Sequence, residues 1–351
     1  MPFRPLLPAW EIFRYNVLEP HGGPELYGVE PASFYAVNSL LNFNGAAPLA
    51  ALTPAVLAVA AVCVGKFRVL SKQLKYLAAL YIWFLFFSSL PHKEERFLCP
   101  VYPLICLAAA ATLRVLAVGG EGLLARCGVS RDFASALMSL SWKVAVALIG
   151  VVGAARGAAL VLNYAAPLQI YGGLSASLAA LPPAAPPAVV CVGKEWYRFP
   201  SSFFLPDEKF SLAFLHDGPA SQLPQPYSRE LGTSVAPPNF NDQNREEPSR
   251  YVSPDTCDYV VELLLERGDP PEHGLDLLDE SAWEVVASAP YLDTTRSALP
   301  WRAFHVPSVS PAKNAFAQYV AARCVPSVAT LAARARLALG QSCGGCEQAP
   351  R

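Results

Sequence analysis

Long apolar stretches between residues 46 and 163 constrain this 351-residue chain more than any other feature of its sequence. Four of them have about the length needed to cross a bilayer, which takes roughly 20 mainly apolar residues. The four predicted membrane-spanning helices are residues 46–64, 74–90, 97–118 and 142–162. Four buried helices of a soluble bundle would need polar residues on an outward face, and these stretches offer almost none. The sequence therefore predicts an integral membrane protein.

The basic residues between the predicted spans indicate how the chain crosses the membrane. They are concentrated in or at the edges of the links between spans one and two and between spans three and four: Lys66, Arg68, Lys72, Lys75, Arg114, Arg126 and Arg131. Positive residues favour cytoplasmic loops. We therefore expect both links in the cytosol. The segment 1–45, the turn at 91–96 and everything after Asn163 would then face the lumen.

The part of the chain that follows the predicted spans has the composition of a soluble domain. We expect a luminal domain over residues 164–310 and a weakly ordered tail over 311–351. A Pro-rich linker, Leu181–Pro187, precedes the apolar run Ala188–Val192, which predicts a short buried strand ending at Gly193. Residues 258–262 are a second strand candidate. These features favour a small mixed α/β domain at the membrane surface.

The nine cysteines divide between the two parts of the chain. If the C-terminal part lies in an oxidising lumen, a bridge such as Cys191–Cys257 can form, although the sequence does not settle the pairing. Cys343 and Cys346 have the spacing of a redox or metal pair. No second pair or histidine accompanies them, so a disordered tail is the preferred interpretation. The net charge of -1 and the lack of a basic stripe give no reason to expect a nucleic-acid partner.

The turn between the second and third spans holds five consecutive polar residues, here named the charged box: His92, Lys93, Glu94, Glu95 and Arg96. Charges at this depth are costly and usually functional. Lys93 and Arg96 are candidates to bind a lipid-linked phosphate. Glu94 or Glu95 would orient them or bind sugar hydroxyls. His92 would donate to a phosphate oxygen, or make a structural hydrogen bond. The alternative is a plain hairpin turn, which would more typically use Gly, Asn or Ser.

Residues 92–97, followed by 100–106, resemble the signature of the dolichyl-phosphate-mannose-dependent mannosyltransferases. Further segments resemble the α-1,2-mannosyltransferases of asparagine-linked glycan assembly, in glycosyltransferase family 22. These segments are residues 25–28 with 30–31, 38–44, 191–202, 241–244 with 247–251, and 290–297. The resemblance extends over roughly residues 10–310, and its motifs occur in the family's order.

The resemblance implies a C-type glycosyltransferase fold in the endoplasmic reticulum membrane, an α-helical bundle with its active site on the luminal face. It implies inverting transfer of mannose from dolichyl-phosphate-mannose to a mannose 2-hydroxyl on a dolichyl-diphosphate-linked oligosaccharide, with no metal or other cofactor. The expected partners are this donor, this acceptor and the lipid bilayer. Glu25, Tyr27, Glu30 and Trp196 are further candidates for sugar or lipid contacts. A surface loop for the first three, and a structural role for Trp196, are the alternatives.

The family's general base is an acidic residue in the first luminal loop, and no residue of this chain matches it. Glu11 and Glu19 lie in a different context. We therefore expect an N-terminally incomplete enzyme whose base lies outside this chain. The alternative is a catalytically incomplete membrane fragment with only a binding or scaffolding role. A transporter fits less well, because the polar groups lie at the bilayer edge and no inverted repeat is visible.

Overall fold

The structure, a computed structural model, describes residues 7–18, 24–65, 67–198, 201–217, 222–225, 228, 230–232, 234–235, 241, 243–265 and 273–325. The chain divides into two compact units. The helical unit consists of Met1–Leu160, Asn241–Asn244 and Ala303–Ser310. The sheet unit consists of Val161–Phe240, Arg245–Arg302 and Pro311–Arg351.

The helices of the first unit follow the apolar stretches of the sequence. They are α1 (Pro8–Phe13), α2 (Phe34–Phe43), α3 (Ala46–Val64), α4 (Phe67–Ser89), α5 (Tyr102–Arg126) and α6 (Arg131–Tyr164). A wide helical turn over Arg14–Leu18 follows α1, and 3₁₀ turns over Pro24–Tyr27 and Glu95–Val101 precede α2 and α5. Helix α3 ends where Gly65 adopts a left-handed φ of 68°, a conformation that favours glycine.

Three of the described helical stretches are long and apolar enough to cross a membrane: Ala46–Val64, Glu95–Arg126 and Arg131–Tyr164. The predicted spans at 46–64, 97–118 and 142–162 lie within them. Only 6% of the most apolar window of the last stretch is buried inside the protein. Its apolar side chains therefore suit a lipid solvent better than water.

The remaining predicted span, 74–90, lies almost entirely in α4 but is not one of these three stretches. Lys72 and Lys75 near the start of α4 lower its apolar character. Further along, Ile82 and Leu85 are 67% and 69% exposed, which matches a lipid-facing surface. That α4 crosses the bilayer stays a prediction.

Buried hydroxyl groups join α3 to its neighbours. Pro54 lies within α3 and has no N–H, so the carbonyl of Ala50 loses its usual helical partner. The Tyr81 hydroxyl of α4 donates to that carbonyl at 2.9 Å. Thr53 and Thr112 contact each other at 2.9 Å between α3 and α5. Such bonds satisfy polar groups that would otherwise be unpaired in an apolar environment.

The sheet unit is a five-stranded mixed sheet with helix α7 (Ala166–Ala179) against it. Its strands are β1 (Ala188–Val192), β2 (Phe210–Phe214), β3 (Tyr259–Leu264), β4 (Trp283–Leu292) and β5 (Phe316–Cys324). Their order is β2-β1-β3-β5-β4. Strand β1 is parallel to β2 and β3, whereas β5 is antiparallel to β3 and β4. Helices α8 (Leu299–Ala303) and α9 (Ser310–Lys313) lie between β4 and β5 in the chain.

Each face of the sheet has its own apolar core. On one face, Tyr171 and Leu174 of α7 pack with Val190 and Val192 of β1. On the other, Cys191 and Cys257 form a disulfide with Cα atoms 5.7 Å apart. The structure therefore contains the bridge that the sequence allowed.

The strands agree in part with the sequence-based predictions. The mixed sheet is confirmed, and β1 begins and ends where the apolar run predicted. The candidate at 258–262 is β3, which runs slightly later.

The prediction of a weakly ordered tail from residue 311 is wrong for residues 316–324, which form β5 inside the sheet, between β3 and β4. Residues 326–351 of that predicted tail lie outside the described residues. Tyr319 and Ala321 pack in one core, and Val320 and Ala322 in the other. A strand buried on both faces lacks the alternation that makes strands easy to recognise.

Candidate functional site

A cleft of about 800 Å³ lies in the helical unit, between the N-terminal segment and the turn that connects α4 to α5. Its apolar and aromatic lining consists of Phe13, Tyr15, Val17, Tyr27, Gly28, Phe86, Phe87, Leu90 and Phe97. Its ionisable lining consists of Glu30, His92, Lys93, Glu94 and Arg96. The structure thus brings most of the charged box together with two of the N-terminal candidates, Tyr27 and Glu30.

Lys93 is the most buried residue of the charged box, with 6% of its surface exposed. Its Nζ donates to the carbonyl oxygens of Glu30 at 2.8 Å and Leu90 at 2.5 Å, and lies 3.5 Å from that of Pro91. An ammonium group has three donors, so these carbonyls account for its capacity. Lys93 therefore fastens the N-terminal segment to the turn.

His92 makes a second link between the same two segments. Its Nδ1 lies 2.8 Å from the carbonyl oxygen of Gly28, and its Nε2 lies 3.1 Å from Oε1 of Glu94. A carbonyl and a carboxylate both accept, so both contacts are hydrogen bonds only when both ring nitrogens carry protons. A backbone bond from the Glu30 N–H to the Pro91 carbonyl, at 3.1 Å, is the third link.

Arg96 and Glu94 form a two-pronged ion pair beside the cleft. Arg96 Nε lies 2.6 Å from Glu94 Oε2, and its Nη2 donates to Oε1 at 2.8 Å. The Arg96 side chain is 74% exposed, so the pair adds little to stability. A guanidinium has five N–H donors, and Glu94 receives two of them. Arg96 is therefore the box cation best placed to meet a ligand.

Glu95 points away from the cleft lining into a separate polar chain of the helical unit. Its Oε1 accepts from Asn42 Nδ2 at 2.5 Å and from the Tyr102 hydroxyl at 3.3 Å. Asn42 Oδ1 accepts from Arg156 Nε at 3.2 Å, and Arg156 Nη1 donates to the Ala303 carbonyl at 3.3 Å. The box is thus connected to the C-terminal third of α6.

Sequence reasoning missed Asn42 and Arg156 as partners of the box. One signal was available, because Arg156 is a charge inside the predicted span 142–162, and such charges usually have a partner and a purpose. The buried Tyr35, whose hydroxyl donates to the Glu94 carbonyl at 3.1 Å, carried no comparable signal. Glu25 is exposed and is not part of the cleft lining.

Trp196, the remaining candidate, lies in the sheet unit and packs partly buried against the core beneath α7. Beside it, Glu195 forms an ion pair with Arg198, whose guanidinium lies 5.2 and 5.0 Å from the ring centres of Tyr197 and Tyr291. Burial raises the pKa of Glu195, although Arg198 opposes this effect. These surroundings suit a structural role, and a sugar contact at Trp196 stays a prediction.

A family assignment agrees with the resemblance of the charged box. Residues 4–206 match the model of the Alg9-like mannosyltransferase family. Because the match covers more than half of the 351 residues, the chain belongs to this family of glycosyltransferases.

Individual relatives narrow the comparison to one kind of enzyme, α-1,2-mannosyltransferase ALG9. The human protein of this name is 40% identical over 319 residues, which cover 88% of this chain and 51% of the relative. The Arabidopsis thaliana protein is 38% identical over 320 residues, with 89% and 52% covered. The Saccharomyces cerevisiae protein is 34% identical over 310 residues, with 85% and 50% covered. The chain thus spans about half the length of these relatives. No solved structure matches it.

Proposed function

We propose that this chain supplies the donor-binding part and the luminal domain of an α-1,2-mannosyltransferase in the endoplasmic reticulum membrane. Mannose would pass, with inversion, from dolichyl-phosphate-mannose to a mannose 2-hydroxyl of a dolichyl-diphosphate-linked oligosaccharide. Membership of the Alg9-like family and the names of the relatives support this reaction. A C-type glycosyltransferase fold belongs to the same proposal. Its support is the order of elements, with membrane helices first and a mixed sheet after them.

The amphiphilic character of the cleft carries the proposal. One part of its wall is aromatic and aliphatic, as a polyprenyl chain requires, and the other part holds the charged box. A dolichyl phosphate has the same division, since an apolar tail ends in an anionic head. Apolar walls with a few convergent polar groups are typical of sites for small ligands.

Within this cleft the two box cations have different proposed roles. Arg96 binds the donor phosphate directly, because its guanidinium is exposed and has donors beyond those used by Glu94. Lys93 contributes a buried positive charge to the wall while its three donors hold Glu30, Leu90 and Pro91. His92 and Glu94 orient the segment around Arg96. Glu95 acts through Asn42 and positions the box relative to α6.

A luminal location of the sheet unit is supported by its chemistry. The Cys191–Cys257 bridge suits an oxidising compartment such as the endoplasmic reticulum lumen. The basic links between the predicted spans favour the cytosol, and the order of the spans then puts this unit on the luminal side.

The reaction is tested by mannose transfer in microsomes that lack the endogenous enzyme. The chain is expressed alone and as a chimera that adds the part of the human relative left out of the match. Transfer by the chimera supports the proposal. A chimera that inserts, folds and never transfers mannose contradicts it. The fragment role with binding alone is favoured if the chain binds a photoreactive dolichyl-phosphate-mannose and neither protein transfers its mannose.

The role of Arg96 is tested in the active chimera. Arg96→Gln should raise KM for the donor about 10- to 100-fold, because a charge-assisted hydrogen bond to phosphate contributes roughly 1.5–3 kcal/mol. Arg96→Lys should retain part of the affinity, since it keeps the charge and loses the fork. Arg114→Gln, an exposed arginine of α5, is the matched control. Equal kinetics for Arg96→Gln and the control would rule out phosphate contact by Arg96.

A further inference from the structure

A second polar cluster lies in the sheet unit, at the carboxyl ends of its parallel strands. Asp217 follows β2, Glu262 lies near the end of β3, and Gly193 directly follows β1. Strand β1 has β2 and β3 on opposite sides, so the strand order reverses there. In open sheets with parallel strands, ligands bind at the carboxyl edge beside such a reversal.

His273 completes the cluster. Its Nε2 lies 3.9 Å from Asp217 Oδ2 and 3.6 Å from Glu262 Oε2, and the three residues each offer one ligand atom within 4.8 Å of the other two. The side chains of His273, Asp217 and Glu262 are 1%, 5% and 3% exposed. Two carboxylates and an imidazole therefore point at one small volume from which bulk water is largely excluded.

Two of these buried atoms have no hydrogen-bond partner among the residues that the structure describes, namely Glu262 Oε2 and His273 Nε2. A buried carboxylate oxygen without a partner is costly, so it points to a ligand or an ordered water. Gly193 makes the arrangement sterically possible. A Cβ at this position would lie 2.7 Å from Glu262 Oε2 and 3.1 Å from Asp217 Oδ2.

We propose that Asp217, Glu262 and His273 bind a divalent transition-metal cation, with Zn²⁺ as the best fit. The site is separate from the cleft of the charged box and is independent of the proposed transferase function. Nitrogen and carboxylate donors are usual for zinc. Ligand atoms about 2.0–2.2 Å from a tetrahedral zinc ion are roughly 3.4 Å apart, slightly closer than the distances found here. A small inward movement of the side chains is therefore enough.

The two carboxylates are the principal ligands and His273 is the weaker one. The Leu275 N–H donates to His273 Nδ1 at 3.1 Å, so the neutral ring carries its proton on Nε2. Coordination through Nε2 moves the ring proton to Nδ1 and turns the Leu275 amide away. Coordination by the two carboxylates requires neither a proton shift nor the loss of a hydrogen bond such as that from Leu275. Replacing His273 should therefore weaken metal binding less than replacing either acid.

The competing occupant is a single water molecule, which would donate to both carboxylates and accept from His273. Such a water satisfies the hydrogen bonds but leaves two negative charges close together in a buried site. A divalent cation satisfies the oxygen atoms and also compensates their charge.

The test uses the full chain purified in lipid nanodiscs, with Cys343→Ser and Cys346→Ser, because a Cys-x₂-Cys pair can bind zinc itself. Equilibrium dialysis against Zn²⁺ and thermal unfolding with and without Zn²⁺ are measured together. We expect one bound Zn²⁺ and a higher melting temperature in its presence. Glu262→Gln and Asp217→Asn should each lower the affinity about 100-fold or more, and His273→Ala about 10-fold. Asp255→Asn and His216→Ala are controls in the same unit.

The outcomes separate the two occupants. A melting temperature that does not respond to Zn²⁺, with no bound ion, means a water-filled site and overturns the proposal. Zn²⁺ binding that persists in a Glu262→Gln/Asp217→Asn double variant overturns it as well, because the ion is then elsewhere. Both replacements keep the side-chain shape, and unfolding curves without Zn²⁺ report whether each variant folds. If Glu262→Gln or Asp217→Asn fails to fold, the Zn²⁺ affinity of His273→Ala is compared with that of the His216→Ala control instead.

Discussion

The charged box of the helical unit and the polar cluster of the sheet unit (Asp217, Glu262 and His273) differ in whether their charged groups have hydrogen-bond partners. In the box, Lys93 has three backbone carbonyls as acceptors and Glu94 receives both His92 and Arg96. In the cluster, Glu262 Oε2 and His273 Nε2 lie 3.6 Å apart, and neither has a hydrogen-bond partner among the described residues. Charged groups whose hydrogen bonds are made within the fold form a pre-arranged surface for a ligand that binds reversibly. Buried charged groups without hydrogen-bond partners favour a ligand that stays bound, such as a metal ion.

The two units also differ in how they keep their shape. The helical unit has an apolar cluster, which includes Leu98 and Ile105, and a few buried hydrogen bonds such as that from Tyr81 to Ala50, and it leaves long apolar surfaces uncovered. The sheet unit has an apolar core on each face and a covalent bridge in one of them. Three predictions test this contrast.

The disulfide should have the largest effect. The bridge joins residues 66 apart in sequence, and the loss of loop-closure entropy on cross-linking a chain of that length is worth about 4 kcal/mol. A Cys191→Ser/Cys257→Ser variant should lower the free energy of unfolding of the sheet unit by about that amount, as measured by denaturant titration. Cys324→Ser, a free cysteine of β5, is the control. Equal losses in both variants would mean that the sheet unit does not depend on the bridge.

Replacement of Lys93 should have the next largest effect, in the helical unit. Lys93→Met keeps the length of the side chain but leaves the carbonyls of Glu30, Leu90 and Pro91 without their donor. We expect a loss of about 3 kcal/mol in the free energy of unfolding, and faster proteolysis of the N-terminal segment in nanodiscs. The exposed Lys75→Met on α4 should have neither effect. Unchanged proteolysis in Lys93→Met would show that the carbonyl contacts do not fasten that segment.

The smallest expected effect is a pH dependence at Asp293, just after β4. The Thr295 hydroxyl and nearby backbone N–H groups hold the pKa of Asp293 below its usual range. A carboxyl whose pKa is lower in the folded state stabilises the fold above its unfolded pKa, and this contribution is lost as the pH falls through the folded pKa. Asp293→Asn should therefore cost about 1 kcal/mol at neutral pH and nothing in strong acid.

Thermal unfolding from neutral to acid pH measures this difference, with Asp255→Asn as the control. Glu195 should show the opposite slope, because burial raises its pKa and favours the protonated form in the folded state. Parallel curves for wild type and Asp293→Asn at every pH would contradict the assignment.

The sequence was sufficient where a pattern is local. Strand β1 was predictable because an apolar run lies between a Pro-rich linker and Gly193. The position of the charged box was predictable because its charges interrupt two apolar stretches. Strand β5 was missed, since Ala and Arg near the C-terminus suggest a weak helix and both faces of the strand are buried.

Contacts between residues that are distant in sequence could not be predicted from the sequence. The carbonyl of Glu30 lies 63 residues from Lys93, and a backbone acceptor leaves no trace in residue type. The three residues of the polar cluster are spread over positions 217–273, and their spacing in the sequence does not match a known metal-ligand motif. Only the fold of the parallel strands brings them together.

The position of β5 has a consequence for the biosynthesis of the protein. It is the last of the described strands in the chain, yet it lies between β3 and β4. As the polypeptide leaves the ribosome, β3 and β4 are both complete before the strand that joins them exists, and each has an unpaired edge until β5 is made. The sheet can close only after Cys324 has emerged, so a premature stop between β4 and β5 would split the sheet at its interior rather than trim its border.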